Sequence, residues 1–172
     1  ADALGVNANA DNNTAIGNAS GYYTTGANNT YVGFSAGLGA SGAEANNVGI
    51  GSQALFAITT GSSNVAIGKG AMTAATGAQE SIAIGFESLS SINEDGGSNI
   101  AIGFYAMRSV DEGTGGGDAD YNIAIGYDAL KGGDFASNDR QLQGNIAIGH
   151  FALDATADNA QTGTIAIGYQ AL

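Results

Sequence analysis

One short motif returns along the whole chain and decides the architecture before any single residue can be interpreted. Its clearest copy is Asn122-Ile123-Ala124-Ile125-Gly126-Tyr127-Asp128-Ala129-Leu130, and close copies stand at 99–107, 145–153 and 164–172. Aligned on its central glycine, the motif occurs around Gly5, Gly17, Gly33, Gly51, Gly68, Gly85, Gly103, Gly126, Gly149 and Gly168. Successive glycines are 12, 16, 18, 17, 17, 18, 23, 23 and 19 residues apart by subtraction. A constant core with a variable spacer predicts a solenoid whose insertions loop out from one side. Residues 1–172 thus read as a single repeat array, with degenerate units over 1–46 and regular units over 47–172. The degenerate units predict a cap or a junction to another domain. The array starts inside a repeat and stops on one, so it reads as a portion of something longer.

Alternation within a unit makes two faces. Ile100, Ile102 and Phe104 share one, and Ala101 and Gly103 share the other. The β-branched pair predicts a strand. Stacked coils would set Ile67, Ile84, Ile102, Ile125, Ile148 and Ile167 in a parallel ladder at about 4.8 Å. The small face carries Ala66, Ala83, Ala101, Ala124, Ala147 and Ala166. Either face could line the coil, and the expectation carried forward puts Ile inside and Ala/Gly outside. A flat Ala/Gly surface would aggregate unless symmetry mates cover it. On that expectation Ile125→Asp should unfold the neighbouring coils.

Gly51, Gly68, Gly85, Gly103, Gly126, Gly149 and Gly168 predict a tight turn or a close backbone approach. After them, Ala54-Leu55, Ala71-Met72 and Ala129-Leu130 predict a second short strand or turn with Leu or Met inside. No long helix is expected, and any helical turn would fall within 132–143. The chain is predicted to be all-β, a parallel β-roll or β-solenoid of about ten short coils.

Composition narrows the function. The net charge is -12 with only four Lys and Arg, which argues against nucleic acid and against anionic membrane surfaces. The 29 glycines, the absence of Pro, Cys and Trp, and 12% charged residues make a poor recipe for an enzyme with a mixed core. No thiolate metal site or disulfide is available, and no apolar run is long enough to span a bilayer. No nucleophile, base and orienting group assemble, and no phosphate loop is present. The expectation is a protein without catalytic residues or cofactor.

Asn47, Asn64, Asn99, Asn122 and Asn145 hold one register, which predicts an Asn ladder capping turns and bonding to neighbouring coils. Phe86, Phe104, Tyr127 and Tyr169, with His150, hold another. They predict a packed aromatic ladder or a strip for stacking sugar rings, interrupted at Ser52 and Lys69. Asp118 and Asp120, after Gly115-Gly116-Gly117, are a calcium candidate, although the tandem Gly-Asp repeats of calcium-binding β-rolls are missing. The remaining acids read as a solvated, repulsive surface.

The Asn-Xaa-Ala-Ile-Gly units resemble the head repeats of trimeric autotransporter adhesins. Asn-Ile-Ala-Ile-Gly-Tyr-Asp-Ala-Leu at 122–130 and Thr-Ile-Ala-Ile-Gly-Tyr-Gln-Ala-Leu at 164–172 are also similar to repeats of bacteriophage tail fibres. The resemblance covers essentially the whole chain. It implies a left-handed parallel β-roll, a homotrimer around a common axis, and attachment instead of catalysis. The expected setting is extracellular, on a cell surface or virion, with a host glycan or protein as receptor and no membrane insertion by this segment. A self-polymerising filament is the alternative, and a polysaccharide- or ice-binding solenoid ranks below it. The spacers at 111–121 and 131–145 are the expected binding loops.

Overall fold

The Ile-Ala-Ile core of the motif forms a three-residue strand in coil after coil. The structure, a computed structural model, describes residues 2–5, 11–39, 42–92, 97–110, 118–132, 141–154 and 161–172. Nine strands pair in parallel: β1 (Thr14–Ile16), β2 (Thr30–Val32), β3 (Val48–Ile50), β4 (Val65–Ile67), β5 (Ile82–Ile84), β6 (Ile100–Ile102), β7 (Ile123–Ile125), β9 (Ile146–Ile148) and β11 (Ile165–Ile167). A second short ladder pairs β8 (Leu142–Gln143) with β10 (Gln161–Thr162). Single bridges Ala45–Ser62, Ser62–Gln79 and Gln79–Gly97 precede the earlier strands. The chain is therefore all-β among the described residues, with parallel strands stacked as a β-solenoid. The unit around Gly5 adds no strand there. Residues 111–117 and 133–140, which make up most of the expected binding loops at 111–121 and 131–145 and of the expected helical turn at 132–143, lie outside the described residues.

Register is uniform: Ile82 pairs with Ile100, Ala83 with Ala101 and Ile84 with Ile102, and the same triplet repeats along the sheet. Each residue thus sits beneath its own counterpart. The structure reverses the expected orientation of the faces. Ala66, Ala83, Ala101, Ala124 and Ala147 are fully buried, while Ile67, Ile84, Ile125 and Ile148 point outward at 36–37% exposure. Ile102 is half-buried and Ile167 is exposed on the same outer face. The reason is volume. Leu55, Met72, Leu89, Met107 and Leu130 already fill the interior from the opposite wall. A thin coil closed by that column leaves room for a methyl group and not for a second branched side chain.

The glycine column is the second constraint. Gly51 to Gly168 hold φ between +131° and +138°, a region that L side chains rarely adopt. A Cβ at Gly126 would also stand 2.4 Å from the carbonyl oxygen of Gly149. Close approach and backbone conformation therefore both require glycine. Three further positions per coil are left-handed, as Tyr121 (φ 59), Asp128 (φ 50) and Leu130 (φ 47) show. Their N–H groups turn along the stacking axis. Asp128 donates back to Phe104 O at 3.1 Å, and Leu130 donates forward to Ala152 O at 2.9 Å. Coil-to-coil hydrogen bonds offset a conformational cost of roughly 1–2 kcal/mol per residue.

The N-terminal units are compensated, not decayed. Tyr31 stands in the Ala register of β2, fully buried, with its ring inside the coil. Gly21 and Gly37 replace the Leu/Met of their own coils, and Gly49 replaces the Ala of the next. A Cβ at Gly37 would lie 2.4 Å from the Tyr31 ring, and one at Gly49 would lie 3.0 Å from it. One large ring and three vacated side chains fill the same volume as the regular pattern.

Two glycines separate the constraints experimentally. Gly126→Ala should cost more than about 3 kcal/mol, because backbone conformation and a clash with neighbouring backbone add. Gly163, with φ +64 and nothing within 4 Å of a built Cβ, should cost about 1 kcal/mol as Gly163→Ala. Denaturant unfolding of both variants checks the ranking.

Candidate functional site

The asparagines form a continuous buried ladder. Each Oδ1 accepts the backbone N–H of the counterpart one coil on: Asn29 from Asn47 at 2.9 Å, Asn47 from Asn64 at 3.0 Å, Asn99 from Asn122 at 3.0 Å and Asn122 from Asn145 at 3.0 Å. Each Nδ2 donates to a backbone carbonyl three residues ahead of that counterpart, as Asn64 does to Ala78 O at 2.6 Å and Asn122 to Leu142 O at 2.6 Å. One amide thereby satisfies the turn that leads into the next strand. Ser81 breaks the run, yet its Oγ still accepts the Asn99 N–H at 3.2 Å. These side chains are fully enclosed and satisfied, so their role is to hold register.

The aromatic residues form a stack on the outside. Ring centroids of Phe86 and Phe104 are 4.9 Å apart, Phe104 and Tyr127 5.4 Å, Tyr127 and His150 4.8 Å, and His150 and Tyr169 5.7 Å. Interplanar angles are 14°, 6°, 13° and 24°. Lys69 continues the column with its ammonium 5.6 Å from the Phe86 ring. Lys69 therefore extends the stripe, which the sequence had made it interrupt. The next position adds Tyr105 and Phe151, edge-on to Phe104 at 4.2 Å and to His150 at 4.3 Å. Arg108 lies 4.1 Å over Tyr105. Neither Tyr105 nor Arg108 was singled out from sequence, although Tyr105 follows Phe104 directly.

This geometry changes what the stripe can bind. Phe104, Tyr127 and His150 have a ring on both faces, so they present edges to solvent. A sugar stacking on them would have to displace a neighbouring ring, whereas Tyr169 is 70% exposed. The stack borders the outward Ile/Val columns of the sheet, across the glycine turn. Together they make one apolar outer surface along the solenoid.

Asp118 and Asp120 serve the stacking of the spacers. Asp120 accepts the Gly97 N–H at 2.7 Å, and Asp118 accepts Gln143 Nε2 at 3.2 Å. Among the described residues no group of three or more His, Cys, Asp or Glu could hold a metal ion.

A third polar feature lies inside. Glu44 is almost completely enclosed near the buried Tyr31 hydroxyl. Burial pushes its carboxyl above the ordinary 4.5, against weaker opposing hydrogen bonds from the backbone of Glu44 itself, Gly26 and Thr25 and from the Thr24 side chain. Burial also raises the Tyr31 phenol, with the nearby Glu44 charge adding to the effect.

Two measurements follow. Asn122→Ala should cost about 3 kcal/mol or more, because it strands the buried Asn145 N–H and the Leu142 carbonyl. Asn122→Ser should cost clearly less, as Ser81 already accepts from the next coil; denaturant unfolding compares them. For Glu44, a carboxyl raised in the folded state binds its proton more tightly there than in the unfolded chain. Stability is therefore greatest below pH 4.5 in this one contribution and falls as pH rises through the raised value. Glu44→Gln should flatten that fall, read from unfolding midpoints across pH.

No helix among the described residues is long and apolar enough to cross a membrane. No family model, curated protein or solved structure matches the chain.

Proposed function

We propose that the chain is a structural and adhesive segment of an extracellular or virion fibre, in which three copies pack their outward Ile faces around a common axis. The observation that carries this reading is the apolar outer surface. Two Ile/Val columns and an aromatic column run along successive coils, and none of the described residues covers them. Identical copies have the same coil spacing, so their columns mesh over the full length of the rod. The resemblance to adhesin-head and tail-fibre repeats points the same way. It supplies the left-handed roll and the surface location as part of the proposal.

Function on this reading is mechanical and multivalent. A stiff rod repeats weak contacts through its spacers, and many weak contacts sum to firm attachment. The acidic surface keeps separate rods apart. The enclosed asparagines and stacked rings hold the coils in register and leave receptor contact to the spacers.

The test is solution mass by light scattering across a dilution series. A fixed mass of three times 16.9 kDa supports the trimer. Ile125→Asp should drop that mass to one chain while the β-type far-UV signal and the coil fold survive, because Ile125 points outward. A single-chain mass for the parent protein overturns the reading, and a mass that grows with concentration favours the filament.

A further inference from the structure

Alternate residues point outward along each coil, so the outer face is four columns wide. One coil presents Glu80, Ile82, Ile84 and Phe86 there, and the coil before it presents Ser63, Val65, Ile67 and Lys69. The Ile/Val pair forms the middle. The column ahead of the strands runs from Asn12 through Glu80 to Gly163. Backbone bonds stack it, as the Glu80 N–H does to Ser62 O at 3.0 Å and the Ser98 N–H to Gln79 O at 2.9 Å. The column behind the strands is the aromatic stack with Lys69. These two flanks lie on opposite sides of the Ile face, so they do not meet within one chain.

Charge is sparse on this face. The chain is 12% charged, yet across the coils of the 9-stranded sheet only Lys69 and Glu80 are formally charged among these outward residues. Surfaces that bind other protein lose charge in this way. The two that remain have opposite sign, stand on opposite flanks and belong to neighbouring coils. Lys69 lies against the Phe86 ring, and Glu80 accepts from the Ser98 hydroxyl at 3.5 Å. Among the described residues neither meets an opposite charge. Glu87 follows Lys69 in the stack, but its side-chain stem lies over Gly70 instead.

We propose that neighbouring copies meet flank to flank, with Lys69 of one chain paired to Glu80 of the next. This deepens the trimer reading and rests on it. Contact between two different flanks is heterologous, and three such contacts close a ring by rotation alone. Lys69 and Glu80 lie within a single turn of the chain, which closes at Phe86. Their heights therefore differ by less than one coil spacing of about 4.8 Å, and a lysine side chain spans that. The same stagger sets rings against small residues: Phe86 opposite Ser98, Tyr127 opposite Gly144 and His150 opposite Gly163. Tyr121, 67% exposed in the single chain, gains the Phe104 ring as a neighbour. A shift of one coil either way would set Lys69 against Ser63 or Ser98 and leave both charges unmatched. The charge pair thus fixes both the stagger and the direction of the ring.

The test treats the whole protein with a carbodiimide, which joins an amine to a carboxylate where the two are in contact, at concentrations where light scattering gives the mass. Chains should become linked through an amide between Lys69 and Glu80. The readouts are a covalent three-chain band under denaturing conditions and that cross-linked peptide by mass spectrometry. Lys69→Arg keeps the charge but forms no such amide, so the three-chain mass should persist while the link is lost. Lys69→Glu should raise dissociation on dilution by about 10-fold, and adding Glu80→Lys should restore the parent behaviour. A three-chain mass without the interchain link, or with Lys69 joined to Glu87 of its own chain, overturns this arrangement and leaves the trimer standing. So does a double reversal that restores nothing. A single-chain mass, or one that grows with concentration, overturns both readings.

Discussion

Parallel stacking places each residue of a coil beneath its own counterpart, about 4.8 Å away. Every side chain in a column must therefore tolerate a copy of itself as nearest neighbour, and this selects the residue types. Isoleucine meets isoleucine along the outer face, and alanine meets alanine inside. An asparagine offers its neighbour an acceptor and takes a donor from it, so its column can be buried without an orphan group. Aromatic rings meet face over face. A column of carboxylates would repel itself at the same spacing. Glu87 and Asp128 share a column but are kept apart by Tyr105, and Glu80 stands between Ser63 and Ser98.

The same rule explains why the first coils look irregular. A column tolerates an exception only when its neighbours change with it. Tyr31 in an alanine column is possible because Gly21, Gly37 and Gly49 withdraw around the ring. Ser81 in the asparagine column is possible because its hydroxyl still accepts from Asn99. Thr24, Tyr31 and Glu44 extend that logic to polar groups. A lone buried carboxylate would destabilise a regular coil, whereas Glu44 is met by the Thr24 side chain and by the backbone of Thr25 and Gly26, which oppose the cost of its enclosure. Irregularity in a repeat array is thus informative where exceptions touch each other.

Much of the architecture was legible because it depends on periodicity. The glycine spacing, the asparagine register and the β-branched pairs led to a parallel solenoid without reference to packing. The direction of the faces was not legible from alternation, which distinguishes two sides and not inside from outside. The deciding signal lay four residues past the glycine, where Leu55, Met72, Leu89, Met107 and Leu130 already occupy the interior. A volume argument joining that column to Ala66 and Ala83 would have turned the strands over. The left-handed backbone at Asn12, Asn28 and Asn46 was also hinted at, by the doubled asparagines at 12–13, 28–29 and 46–47. In each pair the second amide holds the ladder and the first suits the positive φ. The partners of Glu44 were out of reach, since they depend on how the spacer carrying Thr24, Thr25 and Gly26 stacks on the next one.

Turning the faces over also changes what assembly must do. With alanine outside, partners would only have to cover a smooth, weakly apolar surface. With isoleucine outside, half-exposed branched side chains lie in columns next to stacked aromatic edges, and water meets them along most of the sheet. Such a surface gains far more from association, at roughly 25 cal/mol per Å² of apolar area removed from water. The regular coil meanwhile holds little apolar volume of its own, because its strand contributes only a methyl group to the interior. Stability of the coil then comes from hydrogen-bonded register, and in the proposed trimer contact between rods would add to it. That division lets the spacers vary in length without touching either, as the 23-residue separations of Gly103, Gly126 and Gly149 show beside the 17-residue separations of Gly51, Gly68 and Gly85.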